Sequence, residues 1–400
     1  MIPGKEQLNR WTFREYCKHT LMILMKLPIW AVQWLLFWIP LKENRIIIYS
    51  MKQRGYSCNL KYLTEYLKTH TEEAYEILWV VPNEDSQKLL ASRGIQAVTA
   101  HSFAHFRYRH RAAIIVTNDE FYPMCIHRPG QRYVNTWHGA INYKKIGYDG
   151  LGFTNPIQKL IYCMNNPCPD VFLSGSRSFT ETTSASFGFP KSVFLECGLP
   201  RNDILCTGAS AERLDDLRSA IGIPEHKRAV LYAPTFRKGK AGPDVNLNYD
   251  CLLASLAKRF GGDWVVLLRQ HYFVSSRGVS HPDVIDVSGH EDMQELILVS
   301  DCMISDYSSC MWDFILTGKP CFVYAEDLQT YLNEDRSFFI PIETWPYDIT
   351  DSTDDLCRRI EAFDETAYAA KIHKHLQEHG SVDLGTACET LIKRLNRKEK

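Results

Sequence analysis

Ten short apolar runs alternate with helical stretches along this chain, and that alternation limits the fold more than any other feature of the sequence. The runs are Arg45–Tyr49, Ile77–Val81, Ala113–Thr117, Tyr133–Trp137, Val171–Ser174 and Val193–Glu196, followed by Ala229–Tyr232, Val265–Arg269, Cys302–Ser305 and Cys321–Tyr324. Most are continuously apolar rather than alternating, as expected for strands covered by helices on both faces. Strands separated by helical segments imply parallel α/β units. A length of 400 residues exceeds what one hydrophobic core usually serves. The polar stretch Thr207–Lys227 is the best boundary, with one helical pattern at Ala211–Ala220 and then Gly222-Ile223-Pro224 before a new strand. The expected organisation is an apolar segment 1–43 and two doubly wound domains, 44–222 and 223–400. The last helices, between Thr353 and Lys393, are candidates to return to the first domain, and Arg394–Lys400 is a solvated tail.

Composition removes several function classes. Lysine and arginine total 46 against 47 aspartate and glutamate, a net charge of -1, so the basic excess of a general nucleic-acid binder is absent. The 45% hydrophobic and 23% charged content belongs to a folded globular chain, not a disordered one. The 13 cysteines are scattered without a C-x-x-C pair, and Cys163 and Cys168 fit no common zinc spacing. They read as small buried thiols in a reducing compartment. Nor does any carboxylate cluster resemble a metal cage, so neither metal nor cofactor is expected.

The amino-terminal segment is unusual. Four of nine tryptophans (Trp11, Trp30, Trp34 and Trp38) fall in the first 38 residues, and Lys26 is the only Lys, Arg, Asp or Glu between His19 and Leu41. The run is long enough to cross a bilayer. Lys26 and Pro28 inside it, and the lack of a small-residue cleavage site after it, argue against crossing or secretion. Basic residues flank it at Lys5, Arg10, Arg14, Lys18, Lys42 and Arg45. Tryptophan favours the headgroup level and cations favour anionic lipid, so an in-plane membrane anchor is expected. A true span and a buried core helix are the alternatives.

Ligands of open α/β sheets collect at the carboxyl ends of strands. Four clusters lie there. His138-Gly139 ends one strand and is followed by Lys144, Lys145 and Asp149; the histidine is a general base or a hydrogen-bonded loop residue, and the lysines hold an anion or are solvated. Pro234-Thr235 leads to Arg237, Lys238 and Lys240, a phosphate site or a basic loop. Arg269 and His271 share one face if their strand continues, for phosphate or for structure. Ser308 and Ser309 open a helix whose amides either cap it or bind phosphate, with Asp306 or Asp313 placed for hydroxyls.

In order along the chain, Thr136-Trp-His138-Gly139 with Lys144-Lys145-Ile-Gly147-Tyr-Asp149, Gly198-Leu-Pro200-Arg201-Asn202-Asp203, Tyr232-Ala-Pro234-Thr235-Phe-Arg237 and Asp306-Tyr-Ser308-Ser309-x-x-x-Asp313 resemble the signatures of the CDP-glycerol glycerophosphotransferases of teichoic acid synthesis. The resemblance runs from about Tyr49 to Tyr331, with Ala140 in place of a small polar residue and Gln270-His271 at a more variable strand end. It implies a GT-B-like α/β fold of two Rossmann-like domains with the active site between them. It also implies peripheral attachment to the cytoplasmic face of the cell membrane. The implied reaction moves glycerol phosphate from CDP-glycerol to a hydroxyl of a lipid-linked saccharide or polyol phosphate, with release of CMP. CDP-ribitol or another nucleotide-activated donor is the alternative. On this reading His138 takes the hydroxyl proton and His271 protonates the departing phosphate. Thr235, Arg237, Arg269, Ser308, Ser309 and Asp313 hold the donor, and Lys144, Lys145 and Asp149 the acceptor. A homo-oligomer is compatible with all of this.

Overall fold

The computed structural model describes residues 12–50, 55–70, 74–119, 127–151, 156–235, 247–270, 281–328, 330–331 and 338–396. Two compact units emerge: residues 1–201 joined by 386–400, and residues 202–385. The first is built on β1 (Lys42–Tyr49), β2 (Glu76–Val81), β3 (Ala97–Thr99), β4 (Ala112–Thr117), β5 (Arg132–Asn135), β6 (Val171–Ser174) and β7 (Phe194–Glu196). The second is built on β8 (Lys227–Ala233), β9 (Asp263–Leu268), β10 (Val284–Asp286), β11 (Cys302–Ser305), β12 (Cys321–Tyr324) and β13 (Ile349–Thr350). All pairings are parallel. The orders are β3-β2-β1-β4-β5-β6-β7 and β10-β9-β8-β11-β12-β13. Both contain the doubly wound Rossmann order, which reverses direction between β1 and β4 in one sheet and between β8 and β11 in the other.

Each expected strand is present, and three more complete the sheets. These three, β3, β10 and β13, are edge strands of two or three residues with mixed burial, too short and too wet to leave an apolar run. Central strands are buried on both faces. Ile46 and Ile48 join Trp79, Val116 and Val134 under the helix Cys58–Thr69, while Ile47 and Tyr49 join Leu78, Val80 and Ile115 on the opposite side. Leu391 and Leu395 of the final helix, Ala387–Asn396, pack into the first of these cores, so the chain's end returns to the first unit. In the second unit Val230, Tyr232, Val266 and Ile304 pack against Leu252 and Leu256 of the helix Tyr249–Phe260. The polar stretch Thr207–Lys227 lies inside that unit, where the helix Ala211–Ile221 packs on the helix Met293–Val299.

The apolar amino-terminal segment forms a helix, Phe13–Leu35, opened by a capping box in which Thr12 and Glu15 exchange bonds. Its burial is inverted. Lys26 and Gln33, two turns apart on one face, are buried, and burial lowers the Lys26 pKa. Leu21, Leu24, Met25, Leu27, Val32, Trp34 and Leu35 are exposed. The neighbouring helix Pro156–Asn165 adds an exposed stripe of Ile157, Leu160 and Met164. Arg128 fixes the chain after the long helix, donating to the carbonyls of Phe37 (2.7 Å) and Ile39 (2.8 Å), while His110 bonds the Leu36 carbonyl. Among the described residues no helix is long and apolar enough to cross a membrane.

Candidate active site

In the first unit the strand ends beside the order reversal carry a row of carbonyls. Thr117, Asn118 and Asp119 close β4, and the loop after β5 hangs from them. The Thr136 amide donates to Thr117 (2.8 Å), the Asn135 side chain to Asp119 (3.0 Å), and His138 Nδ1 to the Asn118 carbonyl (2.8 Å). A proton on Nδ1 makes Nε2 the basic nitrogen, the tautomer a general base requires. The expected strand through Trp137 ends early at Asn135, because Trp137 turns into the left-handed region with φ 51°. Its buried ring stacks on His138 with centroids 4.5 Å apart and fixes the imidazole plane.

A residue that the motifs pass over holds this turn. Asn59, fully buried in the first turn of the helix Cys58–Thr69, donates through Nδ2 to the carbonyls of Thr136 (3.1 Å) and Trp137 (2.9 Å). Its Oδ1 accepts from the Arg201 amide at 3.2 Å. The preceding Cys58 is also left-handed, with φ 59°. Non-glycine residues in this region cost about 1–3 kcal/mol each and persist only where their surroundings impose them. The sequence signal is Gly55-Tyr-Ser-Cys-Asn59, a short stretch that begins six residues after the apolar strand ends at Tyr49 and leads into a helix.

The lysine loop is pinned by its neighbours. Gly147 is left-handed (φ 53°), and a Cβ there would collide with the Ser186 carbonyl. Asp149 accepts from Ser186 Oγ at 2.6 Å, which ties the loop bearing Lys144 and Lys145 to the helix Arg177–Phe187. Ala140 is buried against Gly175 so tightly that a Cβ on the glycine would overlap it, which explains a small apolar residue at that position.

In the second unit the reversal lies between β8 and β11. Asp306, just past β11, is buried and accepts from the Thr235 amide (2.9 Å) and hydroxyl and from the Tyr307 amide, closing the loop after β8. Arg269 follows β9 and extends its ladder, its amide donating to the Tyr232 carbonyl at 2.9 Å. Its guanidinium touches the weak acceptor Met293 Sδ at 3.9 Å, and among the described residues it forms no ion pair. Burial lowers its pKa while Cys310 and Asp292 act in the opposite sense. Cys310 is the meeting point. Its thiol, pushed up to about 11 chiefly by burial, bonds Ser308 and feels Asp313, Arg269 and Asp306. Ser309 occupies the cap position of the short helix Cys310–Phe314 without a side-chain capping bond, and Asp313 accepts from Gln294 at 2.9 Å. The structure therefore brings Thr235, Arg269, Ser308 and Asp313 to one sheet end. Arg237, Lys238, Lys240 and His271 lie outside the described residues. Among the described residues no group of three or more His, Cys, Asp or Glu could hold a metal ion.

Two Rossmann-type sheets, one with an oriented histidine and the other with a partly buried arginine at a strand end, define a GT-B-like α/β protein. The chain belongs to the CDP-glycerol:poly(glycerophosphate) glycerophosphotransferase family, whose model matches residues 31–396. It is 30% identical over 394 residues to a teichoic acid glycerol-phosphate transferase of Staphylococcus aureus, covering 94% of this chain and 100% of that one. It is also 30% identical over 371 residues to a teichoic acid poly(glycerol phosphate) polymerase of Staphylococcus epidermidis, covering 87% of this chain and 50% of the polymerase. The chain thus spans about half the length of that polymerase. A solved structure of the wall teichoic acid polymerase TagF, a variant soaked with CDPG, superposes with a TM-score of 0.77 at 27% identity over 96% of each chain.

Proposed function

We propose that this chain transfers glycerol phosphate from CDP-glycerol to a hydroxyl of a membrane-linked acceptor, releasing CMP, in the synthesis of a teichoic-acid-like or capsular polymer. The acceptor oxygen attacks the phosphorus that bears glycerol, and the bond from that phosphorus to the CMP oxygen breaks. His138 Nε2 takes the hydroxyl proton. The observation that carries the reading is the bond from His138 Nδ1 to the Asn118 carbonyl, which presents Nε2 as base at a strand end beside a doubly wound reversal.

Phosphoryl transfer depends on positioning and charge neutralisation more than on covalent chemistry. Arg269 suits the diphosphate, since a partly buried guanidinium that forms no ion pair among the described residues can offer its donors to an anionic ligand. Thr235, Ser308, Ser309 and Asp313 share that sheet end and complete the donor site. By their place in the sequence Arg237 joins the donor cations and His271 protonates the departing CMP phosphate. Lys144 and Lys145 attract the acceptor phosphate, and Asp149 holds their loop in place.

Attachment is peripheral, at the cytoplasmic face. Supporting it, the helix Phe13–Leu35 turns Lys26 and Gln33 inward and its leucines and Trp34 outward, an arrangement that water penalises and a bilayer interface rewards. A largely apolar cavity of about 780 Å³, lined by Val32, Leu36, Phe103 and Phe106 with Arg107 and Arg111, continues that surface.

Incubation with CDP-glycerol or CDP-ribitol over a panel of lipid-linked acceptors, scored for CMP release and product length, tests the proposal. Turnover of CDP-glycerol is expected. Turnover of CDP-ribitol alone, or of neither, overturns it.

A further inference from the structure

Asn59 joins three loops that come together in the first unit. It follows β1, its amide nitrogen holds the carbonyls of Thr136 and Trp137 after β5, and its amide oxygen holds the backbone of Arg201. Both of its N–H groups are spent on consecutive carbonyls, and the second of these belongs to the left-handed Trp137. His138 is the next residue. The imidazole is therefore set from two sides: Asn118 fixes Nδ1, and Asn59 fixes the peptide from which the side chain departs. Cys58, itself left-handed and with its sulfur 3.2 Å from an Arg201 guanidinium nitrogen, puts a second strained residue in the same knot. Full burial of Asn59 strengthens these bonds and raises the cost of leaving either carbonyl unmet.

We infer that Asn59 is a positioning residue for the transfer reaction: its amide locks the strained Trp137 peptide and so aims His138 Nε2 at the acceptor hydroxyl. This rests on the assignment of His138 as the base. Asn59 is fully buried and its amide is committed to three backbone groups, so its effect falls on the rate of transfer rather than on donor binding.

The test compares Asn59→Ala, Asn59→Asp, His138→Ala and the double variant Asn59→Ala/His138→Ala with the unaltered full chain, using CDP-glycerol, a lipid-linked acceptor and CMP release. Asn59→Ala should lower kcat about 100-fold with the KM for CDP-glycerol changed less than about threefold. Asn59→Asp keeps the shape but loses both donors, and should be equally slow. The double variant should be no slower than His138→Ala alone, because a misaimed base and an absent base fail at the same step. A wild-type rate for Asn59→Asp, or losses that add in the double variant, would overturn the inference. A variant that melts in the assay range or no longer binds CDP-glycerol also counts against it, since the knot then serves the fold. If His138→Ala turns over normally, the base assignment fails and the positioning role with it. A slow His138→Ala beside a fast Asn59→Ala removes the positioning role alone.

Discussion

The two units share a strand order and, on the proposed reaction, divide the chemistry. At the first reversal the strand ends hold an oriented histidine, carried on a strained turn and tied down by a buried side-chain amide. At the second they hold a partly buried arginine, and the buried carboxylate of Asp306 closes the loop after β8 through Thr235 and Tyr307. On the proposed reaction one end moves a proton and the other holds an anion. The sheets are nearly interchangeable as scaffolds, and what differs is a handful of loop residues after β1, β5, β8, β9 and β11. Fold supplied the position and loops supplied the function.

That division can be broken most sharply at His138. His138→Ala should lower the rate of CMP release by about 10²–10⁴ while titration with CDP-glycerol shows near-normal affinity. Next in size, Arg269→Met should keep the volume and lose the charge. Its donor dissociation constant should rise about 10- to 100-fold, from about 1.5–3 kcal/mol for hydrogen bonds to a charged group, and saturating donor should restore much of the rate. Smaller again is the membrane contact. Leu24→Glu combined with Trp34→Glu replaces two exposed apolar side chains on the inverted helix, and should weaken sedimentation with anionic vesicles about tenfold while turnover of a water-soluble acceptor is unchanged.

The smallest effect concerns what the units have in common. Each buries one histidine whose pKa burial lowers to about 4, His105 in the first and His375 in the second. His105 Nδ1 accepts from the His101 amide at 3.1 Å, so protonation there breaks a bond. Both residues titrate near 6.5 when unfolded. The unfolded chain therefore binds more protons between about pH 6.5 and 4, and stability falls as pH drops through that window. Thermal melts across it should decline in both units together; a melt insensitive to pH over that range would show that these histidines are not buried neutral.

Much of this was legible in the sequence. Continuous apolar runs marked every central strand because burial on both faces leaves no polar positions, and the chemical residues sat where those runs stop. The edge strands β3, β10 and β13 were not legible, since two or three half-buried residues carry no period. Lys26, which in the sequence argued against a bilayer-crossing segment, is buried on the helix Phe13–Leu35 while the leucines and Trp34 of that helix are exposed. Asn59 was hidden for a different reason. Its partners lie 77, 78 and 142 residues away, all of them backbone groups, and backbone partners leave no trace in composition or spacing.

The central claim is the division of labour, and one paired measurement tests it. CDP-glycerol dissociation constants and single-turnover CMP release rates are measured side by side for His138→Ala and Arg269→Met. The account predicts a crossed result, with His138→Ala slow and tightly binding and Arg269→Met weakly binding but far faster at saturating donor. Loss of donor affinity in His138→Ala together with unchanged affinity in Arg269→Met would contradict it.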